Sequence, residues 1–490
     1  MKYSNISVIP MPKEVIGECA DGSFEELFFE PSVYTECAAF ATVEQSFVEL
    51  TEKIHGVRLA REAGGIELIL DSTLASDEYR IDICEEYARA YASNAEGAGY
   101  AMITLVQLLK IKGGKMRLPK AQIKDRPECE FRGVMVDLAR QWHKFESLLF
   151  YVDLCALYKI KYLHLHFMDT QSYTLPSAKF PKMSTAGRHY SFDEIKKLNE
   201  YAAVRGIELI PEIEFPGHSK SMVTAYPELF GNTPDGERVE DTYSLFNNTE
   251  TDNIICIGKP GVMDNIRVIL KEIIDMFPNS EYIHIGGDEA TIADWNNCRD
   301  CKKYMAENGI SGVKALYSHS IKLITDEVLA LGRTPIVWEG FPMEGADQIS
   351  RDVVVIAWES FYLLPNEILD LGFKVINASW QPLYIIPKYR AYDTLIWGPK
   401  DILAWNIYNW QNWNRKTAAY LNPINVQPTE QVMGGLFCVW ECKFEEEVIR
   451  VVENLAALSE RTWTVRRYAT DKQFMDKLDK VSSLAYNLLP

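Results

Sequence analysis

From Phe131 onward the chain repeats one unit: a short apolar run closed by polar or aromatic residues, followed by a stretch of helical periodicity. Eight such runs occupy 133–138, 162–169, 207–214, 282–289, 335–339, 353–359, 373–379 and 433–440. The stretches between them carry helix signals. Ser191-Phe192-Asp193-Glu194 is a capping box opening a helix that ends at Gly206. Val262, Ile266, Ile269, Ile273 and Phe277 form one apolar stripe. Residues 446–463 read as a closing helix. Eight strand–helix units predict an α/β fold of the (β/α)8 barrel type. The runner-up, an open doubly wound sheet, calls for a nucleotide-type glycine fingerprint after its first strand, and there is none.

A chain of 490 residues exceeds one ordinary core. Residues 1–125 read as a separate small α+β domain in a supporting role. Its strand-like segments are 26–29, 66–70, and a hairpin of 79–83 with 87–91. Residues 98–111 read as a helix, with Ala101, Leu105, Leu108 and Leu109 at helical spacing. Two prolines, Pro119 and Pro127, bracket a polar link, and the barrel with its C-terminal helix is assigned to 126–490.

A formal charge of −18 argues against nucleic acid or an anionic membrane surface as partner. Aromatic residues make up 12% of the chain, with 11 Trp, which leans toward a carbohydrate ligand because sugars are bound on flat apolar faces. No apolar stretch is long enough to span a membrane, and the first residues lack the pattern of a signal peptide, so a cytoplasmic protein is expected. The ten cysteines, among them Cys155, Cys256 and Cys438 inside apolar runs, then read as reduced core residues. Cys298 and Cys301 form a C-x-x-C with no second pair at zinc spacing, so neither a metal nor a cofactor is expected.

In a barrel the carboxyl ends of all eight strands meet on one face, where active sites lie. Those ends carry Asp137 and Arg140; His166 and Asp169; Glu212, Glu214 and His218; Asp288 and Glu289; Trp338 and Glu339; Trp358 and Glu359; Trp380 and Tyr384; Trp440 and Glu441. One Trp there would be ordinary packing, but three at matched positions read as pocket walls. The stretch Ile283-His284-Ile285-Gly286-Gly287-Asp288-Glu289-Ala290 is the sharpest signal: a buried strand, two glycines for a tight turn, then two carboxylates that are costly to bury without a use. Carboxylates, an Arg and several Trp, without a serine–histidine or cysteine–histidine motif, suggest glycoside hydrolysis.

These residues also carry a family resemblance. Arg132-Gly133 with Asp137-Leu138-Ala139-Arg140, His164-Leu165-His166-Phe167-Met168-Asp169, Glu214-Phe215-Pro216-Gly217-His218 and His284-Ile285-Gly286-Gly287-Asp288-Glu289 resemble the segments of glycoside hydrolase family 20, the β-N-acetylhexosaminidases. The resemblance implies a retaining exo-hydrolase acting on a small glycan or glycoside with a terminal β-linked N-acetylhexosamine, GlcNAc or GalNAc. In this family the substrate's own acetamido oxygen is the nucleophile. It further implies Glu289 as general acid and then base, Asp288 as acceptor of the acetamido N–H, and Tyr384 as donor to the acetamido oxygen. Arg140 and Asp169 would grip outer hydroxyls. Trp338, Trp358 and Trp440 would cage the acetamido methyl, and His218 would orient the acid. Trp405 and Trp410, before the last strand, are candidates for stacking on the leaving sugar, with ordinary packing as the equal alternative.

Three positions depart from the family pattern. Thr170 stands where a second aspartate is usual, Glu214 where Asp is common, and Cys442 where a Glu often follows the last Trp, with Glu441 beside it. The last departure bears on recognition of the distal sugar hydroxyls. Two rival readings are a metal-dependent barrel enzyme holding magnesium on Asp169, Glu214 and Asp288, and a non-catalytic sugar-binding barrel. The sequence also leaves open a homodimer whose partner completes the pocket.

Overall fold

The computed structural model describes residues 4–236, 253–387, 396–466 and 470–490. All eight apolar runs contain strands: β1 (Phe131–Asp137), β2 (Tyr162–His166), β3 (Glu208–Glu212), β4 (Tyr282–His284), β5 (Thr334–Trp338), β6 (Val354–Ala357), β7 (Lys374–Asn377) and β8 (Val432–Val439). Each pairs in parallel with the next, and β8 also pairs with β1, Gly133 opposite Leu436, so the sheet closes into a barrel. Five of the strands, β2, β3, β4, β6 and β7, are shorter than their apolar runs because the polar tails leave the sheet to build loops at the carboxyl end. β4 is the extreme case, stopping at His284 before the two glycines.

Around the barrel lie α1 (Phe145–Leu157), α2 (Phe192–Val204), α3 (Val262–Met276), α4 (Arg299–Asn308), α5 (Val313–Ala330), α6 (Pro365–Asp370) and α7 (Phe444–Trp463). The capping box at Ser191 and Glu194 is formed, and Gly206 follows α2 at φ 68°. The predicted stripe of α3 is buried from Val262 to Ile273. A further helix, α8 (Asp471–Tyr486), follows the expected closing helix and packs on α7.

The small domain is a mixed six-stranded sheet covered by helices Ala41–His55 and Ala95–Leu108, with a three-stranded sheet beside it. The expected hairpin is present, with Tyr79–Ile83 antiparallel to Ala88–Ala92. The second helix starts earlier and ends earlier than its periodicity suggests. Asn94 caps it through Gly97 N–H at 3.1 Å, and after Leu108 the chain turns into strand Lys110–Lys112, folded back on Lys115–Pro119. Leu109 is therefore apolar for packing and not for helix.

Inward-facing side chains are layered. At the amino-terminal end Phe131 stacks on Tyr162 with ring centroids 4.6 Å apart, and Tyr282 meets Tyr162 edge-on at 5.6 Å. One step up, His164, Glu212, His284 and Trp338 replace the apolar plug. The strand pleat makes residues two apart share a face, so β2 points Tyr162, His164 and His166 inward in succession. Polarity therefore rises toward the mouth.

Candidate active site

The seat of the carboxylate pair is built by the turn after β4. His284 Nδ1 accepts Gly286 N–H at 2.9 Å, and burial holds this imidazole well below its usual pKa and so neutral. Gly286 sits at φ 69°, and a Cβ there would lie 1.7 Å from Glu214 Oε2, so both its conformation and its neighbour demand glycine. The turn delivers Asp288 into a buried position and Glu289, itself at φ 43°, to the cavity edge with 20% of its side chain exposed. Burial, with the Glu289 charge adding to it and His218 opposing, pushes Asp288 up to about 7. Glu214 is pushed well above the carboxylate range by burial, then by Asp288 and Glu212.

A charged wall stands opposite. Asp169 Oδ2 lies 2.7 Å from Arg140 Nη2 and 3.0 Å from His166 Nε2, and its Oδ1 lies 3.2 Å from His218 Nδ1. Burial alone would raise the Asp169 carboxyl, but Arg140 and His218 outweigh it and hold it well below its usual value. Burial disfavours charge on His218, yet Asp169 and Glu289 together hold it in the imidazolium form. Its Nε2 reaches to 3.6 Å from Glu289 Oε2, so Asp169, His218 and Glu289 form one line. Arg140 is aimed by Asp137, which accepts its backbone N–H at 2.9 Å and its Nη1 at 3.3 Å. Asp137 also accepts Glu441 N–H at 3.1 Å, which places the Glu441 carboxylate 3.9 Å from Arg140 Nε. Glu441, not the buried Cys442, thus adds a third carboxylate beside Arg140, after Asp169 and Asp137.

Between these walls lies an aromatic cage. Trp338 contacts Trp440 at 5.7 Å and Trp358 at 6.3 Å between ring centroids, and Tyr384 lies parallel to Trp440 at 6.3 Å. Tyr384 is carried by a two-residue strand, Tyr384–Ile385, that adds to the end of β8, and it stacks on Trp380 at 4.8 Å. Several buried polar atoms in this region have no hydrogen-bond partner within the protein: Asp288 Oδ1 and the Tyr384 hydroxyl, together with Glu214 Oε2, His218 Nε2, Glu359 Oε1 and Trp380 Nε1. A buried acceptor and a buried donor left open are costly. A ligand carrying one N–H and one C=O satisfies the first two.

Arg140, Asp169, His218, Asp288, Glu289, Trp338, Trp358, Tyr384, Trp440 and Glu441 are thus brought to one mouth. Trp405 is not. It is buried in the outer core, where its ring tip would lie 2.7 Å from a Cβ at Gly435 of β8, and its Nε1 donates to Asn409 O at 3.2 Å. Trp410 is likewise a packing residue, donating to Ala357 O at 3.0 Å. Of the two roles left open for them the structure favours packing and corrects the stacking assignment: their loop returns along the outside of β6 to β8, where apolar burial accounts for both rings. Trp413 from the same loop reaches the cage instead, at 5.3 Å from Trp380. Nothing in the spacing of the three tryptophans distinguishes them. Also unassigned by sequence is the layer beneath the site, where Glu212 meets His166 Nδ1 at 2.6 Å and the Trp338 Nε1–H. The inward alternation of β2 and β3 was the available signal. The three carboxylates weighed as magnesium ligands do not gather as one such group among the described residues, and Asp169 is already engaged by Arg140 and two histidines.

Residues 129–466 match the catalytic domain of glycosyl hydrolase family 20, and residues 5–126 match domain 2 of the same family. A beta-hexosaminidase of Vibrio furnissii is 28% identical over 411 residues, 78% of this chain and 64% of that protein. One of Akkermansia muciniphila is 33% identical over 335 residues, 64% of this chain and 65% of that protein. The chain thus spans just under two thirds of the length of these relatives. Among solved structures, a GH20 exo beta-N-acetylglucosaminidase of Vibrio harveyi in complex with N-acetylglucosamine has a TM-score of 0.80 at 22% identity, covering 99% of this chain and 78% of that one. The GH20 beta-N-acetylhexosaminidase of Streptomyces coelicolor A3(2) has a TM-score of 0.76 at 21% identity, covering 100% and 97%. With the barrel and the small domain both matched, the chain belongs to glycoside hydrolase family 20.

Proposed function

We propose that this chain is a retaining exo-β-N-acetylhexosaminidase that uses the substrate's acetamido group as nucleophile. The observation that carries the reading is that Asp288 Oδ1 and the Tyr384 hydroxyl are both buried and left open by the protein, with the Tyr384 ring packed against Trp358, Trp380 and Trp440. An acetamido N–H donates to the first, its carbonyl oxygen accepts from the second, and its methyl is covered by the indoles. Held this way, the carbonyl oxygen attacks the anomeric carbon while the glycosidic C–O bond breaks and Glu289 gives its proton to the departing oxygen. The resulting oxazolinium carries positive charge beside Asp288. Water, deprotonated by Glu289, then adds to the anomeric carbon from the face the leaving group vacated, and configuration is retained. Preorganising an internal nucleophile removes much of the entropic barrier. Arg140, Asp169 and Glu441 close the far end of the pocket, which favours a terminal sugar. The relatives named above, all hexosaminidases or glucosaminidases by description, agree with this class.

The test is nitrophenol release from N-acetyl-β-glucosaminide, N-acetyl-β-galactosaminide and plain β-glucoside. Only acetamido sugars should react, and Glu289→Gln should lower kcat by roughly 10²–10⁴-fold, the range of a general acid–base group. Equal cleavage of the plain glucoside would refute the internal nucleophile.

A further inference from the structure

The loop that leaves Glu289 runs through Trp295 to Cys298, where α4 begins. Cys298 is the N-cap of α4 and Cys301 lies in its first turn. Spacing along the chain gives these two thiols only one another, but the fold adds a third. Cys256, between β3 and α3, brings its Sγ to 3.3 Å from Cys298 Sγ and 3.5 Å from Cys301 Sγ. All three are fully buried, none is in a disulfide, and the three sulfurs lie within 4.8 Å of one another.

Sulfur spacing and backbone packing agree on what this triangle suits. A tetrahedral zinc ion with Zn–S bonds of about 2.3 Å sets its sulfurs roughly 3.8 Å apart, a few tenths of an ångström beyond the distances here. A disulfide needs about 2.05 Å and would leave one of the three thiols over. Thr233 N–H points at Cys298 Sγ from 3.3 Å, and the Cys301 N–H in the first turn of α4 also bonds that sulfur, both of which favour thiolate on Cys298. The segment after Cys256 lies hard against α4: a Cβ at Gly258 would be 2.4 Å from Asp300 O and 2.8 Å from Cys301 Cα. Two backbone turns thus pack face to face with all their thiols turned inward.

We propose that Cys256, Cys298 and Cys301 form a structural three-thiolate site for a thiophilic divalent cation of the zinc type, with a non-cysteine ligand in the fourth position. Binding releases the thiol protons and involves no redox change. The clamp joins two loops of the active site. Ile255 O accepts Trp295 Nε1–H at 2.8 Å, and Ile255 N–H donates to Pro216 O at 3.0 Å, two residues from His218. The cation would therefore hold the loop of the acid to the loop of the histidine that orients it.

The test uses the full, untagged chain, stripped of metal under reducing conditions and titrated with zinc(II) or cobalt(II). Expected are one cation per chain, a near-ultraviolet thiolate-to-cobalt charge-transfer band, and a rise in Tm on loading. Cys256→Ser and Cys301→Ser should lose the band, whereas Cys84→Ser keeps it. Wild-type protein that takes up no cation and shows no band overturns the proposal whatever the variants do. So does an intact mass two hydrogens short, which would mean a disulfide.

Discussion

Asp288 is held in an environment that works against the stability of its charged form. Burial pushes its carboxyl up to about 7, against about 4 in an unfolded chain. The folded state therefore binds this proton more tightly. Its contribution to stability is present at low pH and is lost as pH rises from about 4 to about 7. Asp288→Asn removes the slope, so in thermal melts the variant should stand above wild type at about pH 8, with the gap closing toward about pH 5. Parallel melting profiles would show that the site does not strain this group. Activity should move the other way. In the proposed mechanism the anion stabilises the developing positive charge, so wild-type kcat/KM should fall as pH drops below about 7, and the Asn variant should lose that limb along with roughly 10²–10³-fold in rate. Asp288 and Glu289 were legible because their motif is local: strand, two glycines, two acids. Glu441 was half legible. Its register after Trp440 is shifted by one from the family habit, and only its φ of 58° shows how it still faces Arg140.

At the scale of elements, the strands could be read from their apolar runs, since burial on both faces leaves a composition that survives any context. The loops could not, because their order comes from partners elsewhere in the fold. Glu339 is the clearest instance. It ends β5 like a catalytic acid, but its carboxylate faces the loop after β6. Oε2 accepts the N–H groups of Glu359 and Ser360 at 3.0 and 2.8 Å, with Trp358 N–H at 3.4 Å, and Oε1 accepts Phe361, Tyr362 and Leu363 at 3.0, 3.0 and 3.3 Å. Its own carbonyl accepts Trp358 Nε1–H at 2.7 Å. One buried acid thus shapes the loop that carries a cage wall. Glu339→Gln would turn an NH2 toward backbone donors, leaving several N–H groups unpaired. The expected cost is on the order of 3 kcal/mol in denaturant unfolding, with weaker inhibition by an N-acetylglucosamine thiazoline as Trp358 loses its position. A variant with wild-type stability and inhibition would assign the loop's shape to other contacts.

The two parts of the molecule are joined by a buried polar cluster that no local pattern announces, because its members come from far along the chain. Lys159, at φ 54° just beyond α1, reaches out of the barrel, and its Nζ donates to Tyr79 OH at 2.8 Å and Thr104 Oγ1 at 2.7 Å of the small domain. Asp125 lies 3.8 Å from the same ammonium, accepts Tyr79 O–H at 2.7 Å, and accepts Trp463 Nε1–H of α7 at 3.0 Å from each oxygen. The ammonium also stands 4.8 Å over the Tyr79 ring and 4.6 Å over Trp463. Burial lowers Lys159 to about 8 and raises Asp125, so each ion depends on the other to stay charged. Removing one partner of such a pair costs more than removing both charges. Lys159→Met should therefore destabilise by on the order of 3–5 kcal/mol, and adding Asp125→Asn, which keeps an oxygen for Trp463 and Tyr79, should recover part of the loss. All 11 Trp lie beyond residue 126, so their fluorescence follows the barrel, and hydrogen exchange in the strands Ile66–Leu70 and Tyr79–Ile83 follows the small domain. In the wild type the two should fail together in denaturant. In Lys159→Met the small domain should exchange at lower denaturant than the barrel unfolds. If the single variant still unfolds as one unit, or the double variant is the weaker of the two, the apolar contacts and not this ion pair bind the domains.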